Sequence, residues 1–244
     1  MICTEYIMLL SLTGEWEHAR RLLLERNFHP WEGGEGKVSG QYVLIHVELA
    51  KFAIQDGRYK DALSLLERSR NYPDGLGEGK LYGAQENDID YWTGCTYELM
   101  NDRKSAISYW ERASLGADEP SAAWFYNDQK PDRILYQGLA SLKLGRQDVA
   151  NEKFLKLIAF AQDHLDDDVK IDFFAVSLPD LMIFDDDLNM RNIIHCHYLA
   201  GLGLLGAGDT EGAIGRMDAV LSMDPCHTGA YIHRNMILKP IFSE

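Results

Sequence analysis

The sequence predicts an all-α protein built from about five helical hairpins stacked in series, and three observations carry that prediction. The first is a recurring phrase: a Gly or Asn turn, a few polar residues, an Ala, and a large residue four places on. It runs Gly14 to Ala19 and Leu23, Gly57 to Ala62 and Leu66, and Asn101 to Ala106 and Trp110. It returns as Gly145 to Ala150 and Phe154, and as Gly208 to Ala213 and Met217. The second is the period. The alanines are separated by 43, 44, 44 and 63 residues, and self-similarity at a roughly fixed period of about 20–50 residues marks stacked repeats. The third is a small residue seven places before the turn, at Ala50, Gly94, Gly138 and Gly201. Glycine inside a helix costs about 0.8–1 kcal/mol against Ala, so its return there points to close helix packing.

Taken in order, the hairpins are expected over residues 1–29, 41–72, 86–116, 131–164 and 192–224, with a long junction over 165–191, all in one repeat domain, 1–244. The first begins abruptly, since Tyr6–Leu12 already reads as a helix with no polar repeat before it. Terminal repeats need a polar outer face, so the sequence is expected to be the tail of a longer architecture, or this face to meet a partner or a second copy in a homodimer. The last hairpin is the clearest. Asn192–Ala207 gives one helix, Gly208-Asp209 the turn and Thr210–Met223 the second helix, closed by Asp224-Pro225. Thr210 suits an N-cap, Glu211 the first turn, and Pro225 cannot continue the helix. One hairpin cannot bury its apolar face alone; stacked neighbours build the continuous core.

The small residue, turn Gly, Ala, bulky residue and closing Pro resemble the tetratricopeptide repeat, with the best match over 194–227. The resemblance implies a right-handed α-α superhelix. The usual repeat is about 34 residues, so spacings of 43 and 44 place extra residues in every junction, and the spacing of 63 places far more in the last.

Composition narrows the function. A formal charge of −14 argues against nucleic acid, which needs a basic footprint, and against anionic membranes; basic or neutral partners fit. No apolar run approaches the ~20 residues of a membrane span, and Met1–Tyr6 lacks the basic start of a secretory signal. Cys3, Cys95, Cys196 and Cys226 are scattered with no CxxC, which suits reduced, packing thiols in a cytoplasmic protein.

The junctions hold the unusual chemistry. Gly34-Glu35-Gly36-Lys37 aligns with Gly77-Glu78-Gly79-Lys80, and Gln41 and Gln85 follow. Neither loop fits GxxxxGK[ST], so a phosphate cradle is not expected. His29 and Trp31 precede the first loop, and Trp124, Asn127 and Asp128 fill the third junction. Flat rings beside carboxylates and amides suit a polyhydroxylated ligand; filling the gaps of long junctions is the other use of such residues. The phrases HPWEGGEGKVSGQY (29–42), LGEGKLYGAQEND (76–88), YNDQKPD (126–132), HLDDDVKIDFFAVSLPDL and FDDDLNMRNIIHCHY (within 164–198) resemble the C-terminal repeat region of large bacterial proteins. Those proteins carry an N-terminal domain of unknown function linked to carbohydrate metabolism. That domain has no counterpart in this sequence, and the resemblance implies no catalytic residue.

Indexing each copy from its turn places Asp88, Asp132 and His195, then Tyr91 and Tyr198, on the concave face with the single Lys51. His195 and His197 are i and i+2 on a helix and point apart, and Asp185-x-Asp187-x-Asn189 lacks the Gly and closing Glu of a Ca²⁺ loop. No metal and no cofactor are expected. The sequence therefore predicts a non-catalytic module that binds a protein or peptide, scaffolding or regulating a carbohydrate-related system. The alternative is a sugar-binding or sugar-processing protein using the junctions. The candidate contact residues are His29, Trp31, Glu35, Lys37, Gln41, Glu78, Lys80, Gln85, Asp88, Tyr91, Trp124, Asn127, Asp128, Asp132, His195 and Tyr198.

Overall fold

The computed structural model describes residues 2–30, 34–123, 128–170 and 187–241. Among them the chain is all-α, with no strand. The helices are α1 (Ile2–Leu12), α2 (Trp16–Leu24), α3 (Lys37–Gln55), α4 (Tyr59–Ser69), α5 (Asn87–Leu99), α6 (Arg103–Ala113), α7 (Pro131–Lys143), α8 (Gln147–His164), α9 (Leu188–Ala207), α10 (Thr210–Met223) and α11 (Thr228–Leu238). The first ten pair in sequence order into five helical hairpins.

The recurring phrase explains the hairpins. All five turn residues, Gly14, Gly57, Asn101, Gly145 and Gly208, have positive φ between 61° and 85°. A left-handed residue ends a helix without the Cβ penalty when it is Gly, and Asn tolerates it best among the others. After each turn, Ala19, Ala62, Ala106, Ala150 and Ala213 are fully buried, and Leu23, Leu66, Trp110, Phe154 and Met217 are at most 1% exposed. The small residue of the first helix faces that large one. A Cβ on Gly94 would meet Trp110 Nε1 at 2.5 Å, and one on Gly138 would collide with the Phe154 ring.

Two features were not foreseen. The N-cap of α10 is Asp209, whose Oδ1 accepts from the Gly212 N–H at 2.9 Å, in place of the expected Thr210. The carboxylate at the preceding position already satisfies the exposed amide, so Thr210 becomes the first helical residue. Beyond the last hairpin, α11 packs on α10 and α9.

The chain divides into two compact units, one running to Leu115 and the other spanning Gly116–Pro240. In the first, α1 to α6 stack through α2 on α3 and α4 on α5. In the second, the core is Ile134, Leu135, Phe154, Leu157, Leu199, Leu202, Met217 and Val220 with their neighbours. Polar side chains near the start of several first helices bond the end of a second helix, Tyr42 and Asn87 within their own hairpins and Asn192 in the hairpin before. Tyr42 donates to the Arg68 and Asn71 carbonyls of α4's end, Asn87 to Ala113 and Leu115, and Asn192 to His164. Each satisfies carbonyls that a helix C-terminus leaves without partners.

Candidate functional site

The loop edge of the first unit brings the two Gly-Glu-Gly-Lys loops together, and it gives their glutamates different work. After α2 the chain is strapped to the short 3-10 turn Asp74–Leu76 by the Phe28 N–H, which donates to the Gly75 carbonyl at 2.8 Å. Gly77 follows with φ +74°, and a Cβ there would collide with the Phe28 carbonyl. That close approach aims Glu78 at the start of α3. Its Oε2 accepts from the Gly36 N–H and its Oε1 from the Ser39 N–H, both at 2.7 Å. A carboxylate on the open amides of a helix N-terminus is favoured by hydrogen bonding and by the helix dipole. Glu78 is thus the cap of α3, supplied from the next repeat.

Glu35 holds the matching place in the first loop, yet it is exposed and takes part in no hydrogen bond or ion pair among the described residues. It lines a cavity of about 280 Å³ together with His29, Pro30, Gly34, Val38, Leu76 and Glu78. Val38 and Leu76 are buried, His29 and Pro30 exposed. Two of the amides that would draw an anion to this helix end, those of Gly36 and Ser39, are taken by Glu78. Lys37 begins α3 and is exposed. Gln41, one turn on, donates from Nε2 to the Thr4 carbonyl at 3.1 Å and joins α3 to α1.

The other candidates of this unit are built into the fold. Lys80 bonds the Glu86 carboxylate and reaches the Arg70 carbonyl at 3.4 Å. Arg70 in turn spans Glu86 and Asp90, fastening the end of α4 to the start of α5. Gln85 is half-buried. Asp88 and Tyr91 are buried, with Tyr91 edge-on to Trp92 at 5.2 Å. Lys51 is buried, paired with Glu48 at 2.6 Å and set 5.3 Å over the Trp92 ring.

In the second unit, Asp132 lies at the N-terminus of α7, where burial pushes its carboxyl above the usual range. His195 bonds the Ser121 carbonyl through Nε2 at 2.7 Å, and burial lowers its pKa to about 4. The neutral ring must therefore carry its proton on Nε2 and donate it. His197 turns the other way, its Nδ1 3.1 Å from the Arg216 guanidinium, so the two rings serve different partners. Tyr198 is buried, its hydroxyl 3.2 Å from His233 Nδ1 and its ring 4.6 Å from that of His227. His227 caps α11, its Nδ1 accepting from the Ala230 N–H at 3.0 Å. Asp187 caps α9 by accepting from the Asn189 and Met190 amides. Asp128 is half-buried. Trp31, Trp124, Asn127 and Asp185 lie outside the described residues.

Among the described residues no group of three or more His, Cys, Asp or Glu could hold a metal ion, and no helix is long and apolar enough to cross a membrane. The partners that sequence reasoning missed are the α11 histidines and the Glu78 cap. A signal for α11 existed in the unbroken stretch between Pro225 and Pro240. None separates Glu78 from Glu35.

No protein-family model matches the chain. Among solved structures it is similar to YrrB, described as a TPR protein with an unusual peptide-binding site, at 16% identity over 96% of this chain and 90% of that one, with a TM-score of 0.31. It is also similar to the MamA protein, at 15% identity over 99% of this chain and 98% of that one, with a TM-score of 0.29.

Proposed function

We propose that this chain is a non-catalytic docking module for a basic or neutral protein or peptide, with its binding edge on the two repeated loops of the first unit. One observation carries the reading: the cavity lined by both loops includes Glu35, an exposed residue with no hydrogen bond or ion pair among the described residues. An equivalent glutamate one repeat on is engaged in capping, each of its oxygens accepting one helix amide. A fold that spends one copy and leaves the other open offers a recognition group without weakening itself. The concave residues Asp88, Tyr91 and Tyr198 are buried, so the loop edge is the better place to look.

The likeness of the junction phrases to carbohydrate-linked bacterial repeat proteins supports a role scaffolding or regulating such a system in the cytoplasm. The sugar-binding alternative rests on Trp31 and Trp124 and is an outcome of the same test. Amide spectra of the protein are recorded against a library of basic and neutral peptides and, in parallel, against mono- and oligosaccharides. Saturable shifts at Gly34–Val38 and Leu76–Glu78 with peptides are expected, and Glu35→Gln should weaken them. Saturation by one sugar class alone, lost in Trp31→Ala or Trp124→Ala, would replace the peptide reading with the sugar one.

A further inference from the structure

We infer that the loop-edge cavity is a pocket for one lysine side chain of a polypeptide partner; this rests on the docking reading above and names the group that docks. Size comes first. Pockets for drug-sized ligands run from about 300 to 1,000 Å³, so a cavity of about 280 Å³ sits at the bottom of that range and has room for one long side chain. Its lining then fixes the chemistry. Val38, Leu76 and Pro30 supply apolar wall, while Glu35 and Glu78 supply carboxylates. A chain of methylenes ending in a compact cation matches that order, because the stem packs on hydrocarbon while the head stays at the polar rim.

Charge decides against the opposite ligand. A carboxylate or phosphate would need the α3 amides, and Glu78 accepts from those of Gly36 and Ser39. A carboxylate has about four lone-pair sites; Glu78 uses two. That leaves acceptor capacity on Glu78, and Glu35 accepts no hydrogen bond among the described residues. An ammonium has three rotatable donors and no acceptor, whereas a guanidinium is a rigid planar fork that needs a bidentate partner. Two carboxylates from different loops, one of them already held edge-on by the helix amides, suit the ammonium better. The formal charge of −14 adds a field that concentrates cations near the surface.

The test uses the full chain and blocked single residues: N-acetyl-lysine methylamide, its norleucine and arginine counterparts, and cadaverine as a free diamine. Amide shifts at Gly34–Val38 and Leu76–Glu78 report the site. The lysine probe is expected to saturate there in the millimolar range, with norleucine about tenfold weaker, the scale of a lost charge-assisted hydrogen bond. Glu35→Gln should lose the same factor while its melting curve is unchanged, since the side chain is exposed. Equal binding of norleucine and lysine would overturn the lysine assignment. So would tighter binding of arginine, or of cadaverine, which lacks the peptide backbone. If a peptide selected from the library binds wild type and Glu35→Gln alike through other residues, the docking reading stands and the lysine pocket falls. If no peptide binds at all, both fall.

Discussion

At the scale of single residues, identical sequence does not mean identical duty. Glu35 and Glu78 stand in the same four-residue phrase, but Glu78 holds two helix amides at 2.7 Å and Glu35 none. Replacing an N-cap acceptor by Ala costs about 0.5–2 kcal/mol. Glu78→Ala should therefore lower the melting temperature by several degrees, and Glu35→Ala should leave it where it is. Equal melting of the two variants would refute the cap. A second residue-level expectation concerns pH. Burial holds His195 at about 4, against an ordinary value of 6.5, and its Nε2 proton serves the Ser121 carbonyl. As pH falls below about 6.5, the unfolded chain takes up a proton that the folded His195 refuses. Stability is thus lost between about pH 6.5 and 4, by up to about 3 kcal/mol for this group at 1.36 kcal/mol per unit. His195→Gln keeps the donor and cannot titrate. The gap in unfolding free energy between the variant and wild type should shift in the variant's favour across that window and stay constant above it. A pH-independent gap would show that His195 is not held neutral.

At the scale of elements, the small residue of each first helix works against the large residue of its partner. Glycine gives up about 1 kcal/mol of helix propensity against Ala, so restoring the methyl group helps unless the space is taken. At Gly138 the methyl would drive into the Phe154 ring, which is fully buried and has nowhere to move. At Gly201 it would meet the flexible end of Met217, with Cε at 2.8 Å. Overpacking a rigid core costs about 1–3 kcal/mol. Gly138→Ala should destabilise by about 1–2 kcal/mol, whereas Gly201→Ala should be neutral or slightly stabilising; urea unfolding of the second unit decides between them. These hairpins were legible in the sequence because their signal is local: a turn, an Ala and a large residue within ten positions. Helix α11 was not, because it closes the last hairpin without repeating the phrase, and its caps are a histidine and contacts with Tyr198. The Glu78 cap was illegible for another reason. It joins residues about forty positions apart through a turn whose path depends on Gly77 lying against Phe28, and neither spacing nor residue type announces that.

At the scale of the whole molecule, 38 acidic residues against 24 basic ones set terms for stability and for binding that respond to salt in opposite senses. Like charges repel one another in the folded chain, and a net charge far from zero destabilises the compact state. Added salt shortens the screening length from about 10 Å at 0.1 M to about 3 Å at 1 M, so it relieves that repulsion. The same screening removes the field that draws a cation toward Glu35. Raising sodium chloride from about 0.05 to 0.5 M should therefore raise the melting temperature slightly while weakening a lysine-bearing peptide severalfold, mainly through its association rate. A norleucine-bearing peptide of zero net charge should scarcely respond. The contrast separates recognition of charge from apolar contact with the exposed Pro30 at the cavity, since apolar contact would strengthen or hold with salt. If the lysine peptide binds equally well at both salt concentrations while melting rises, the acidic surface contributes to folding energetics alone and the loop edge recognises its partner by shape.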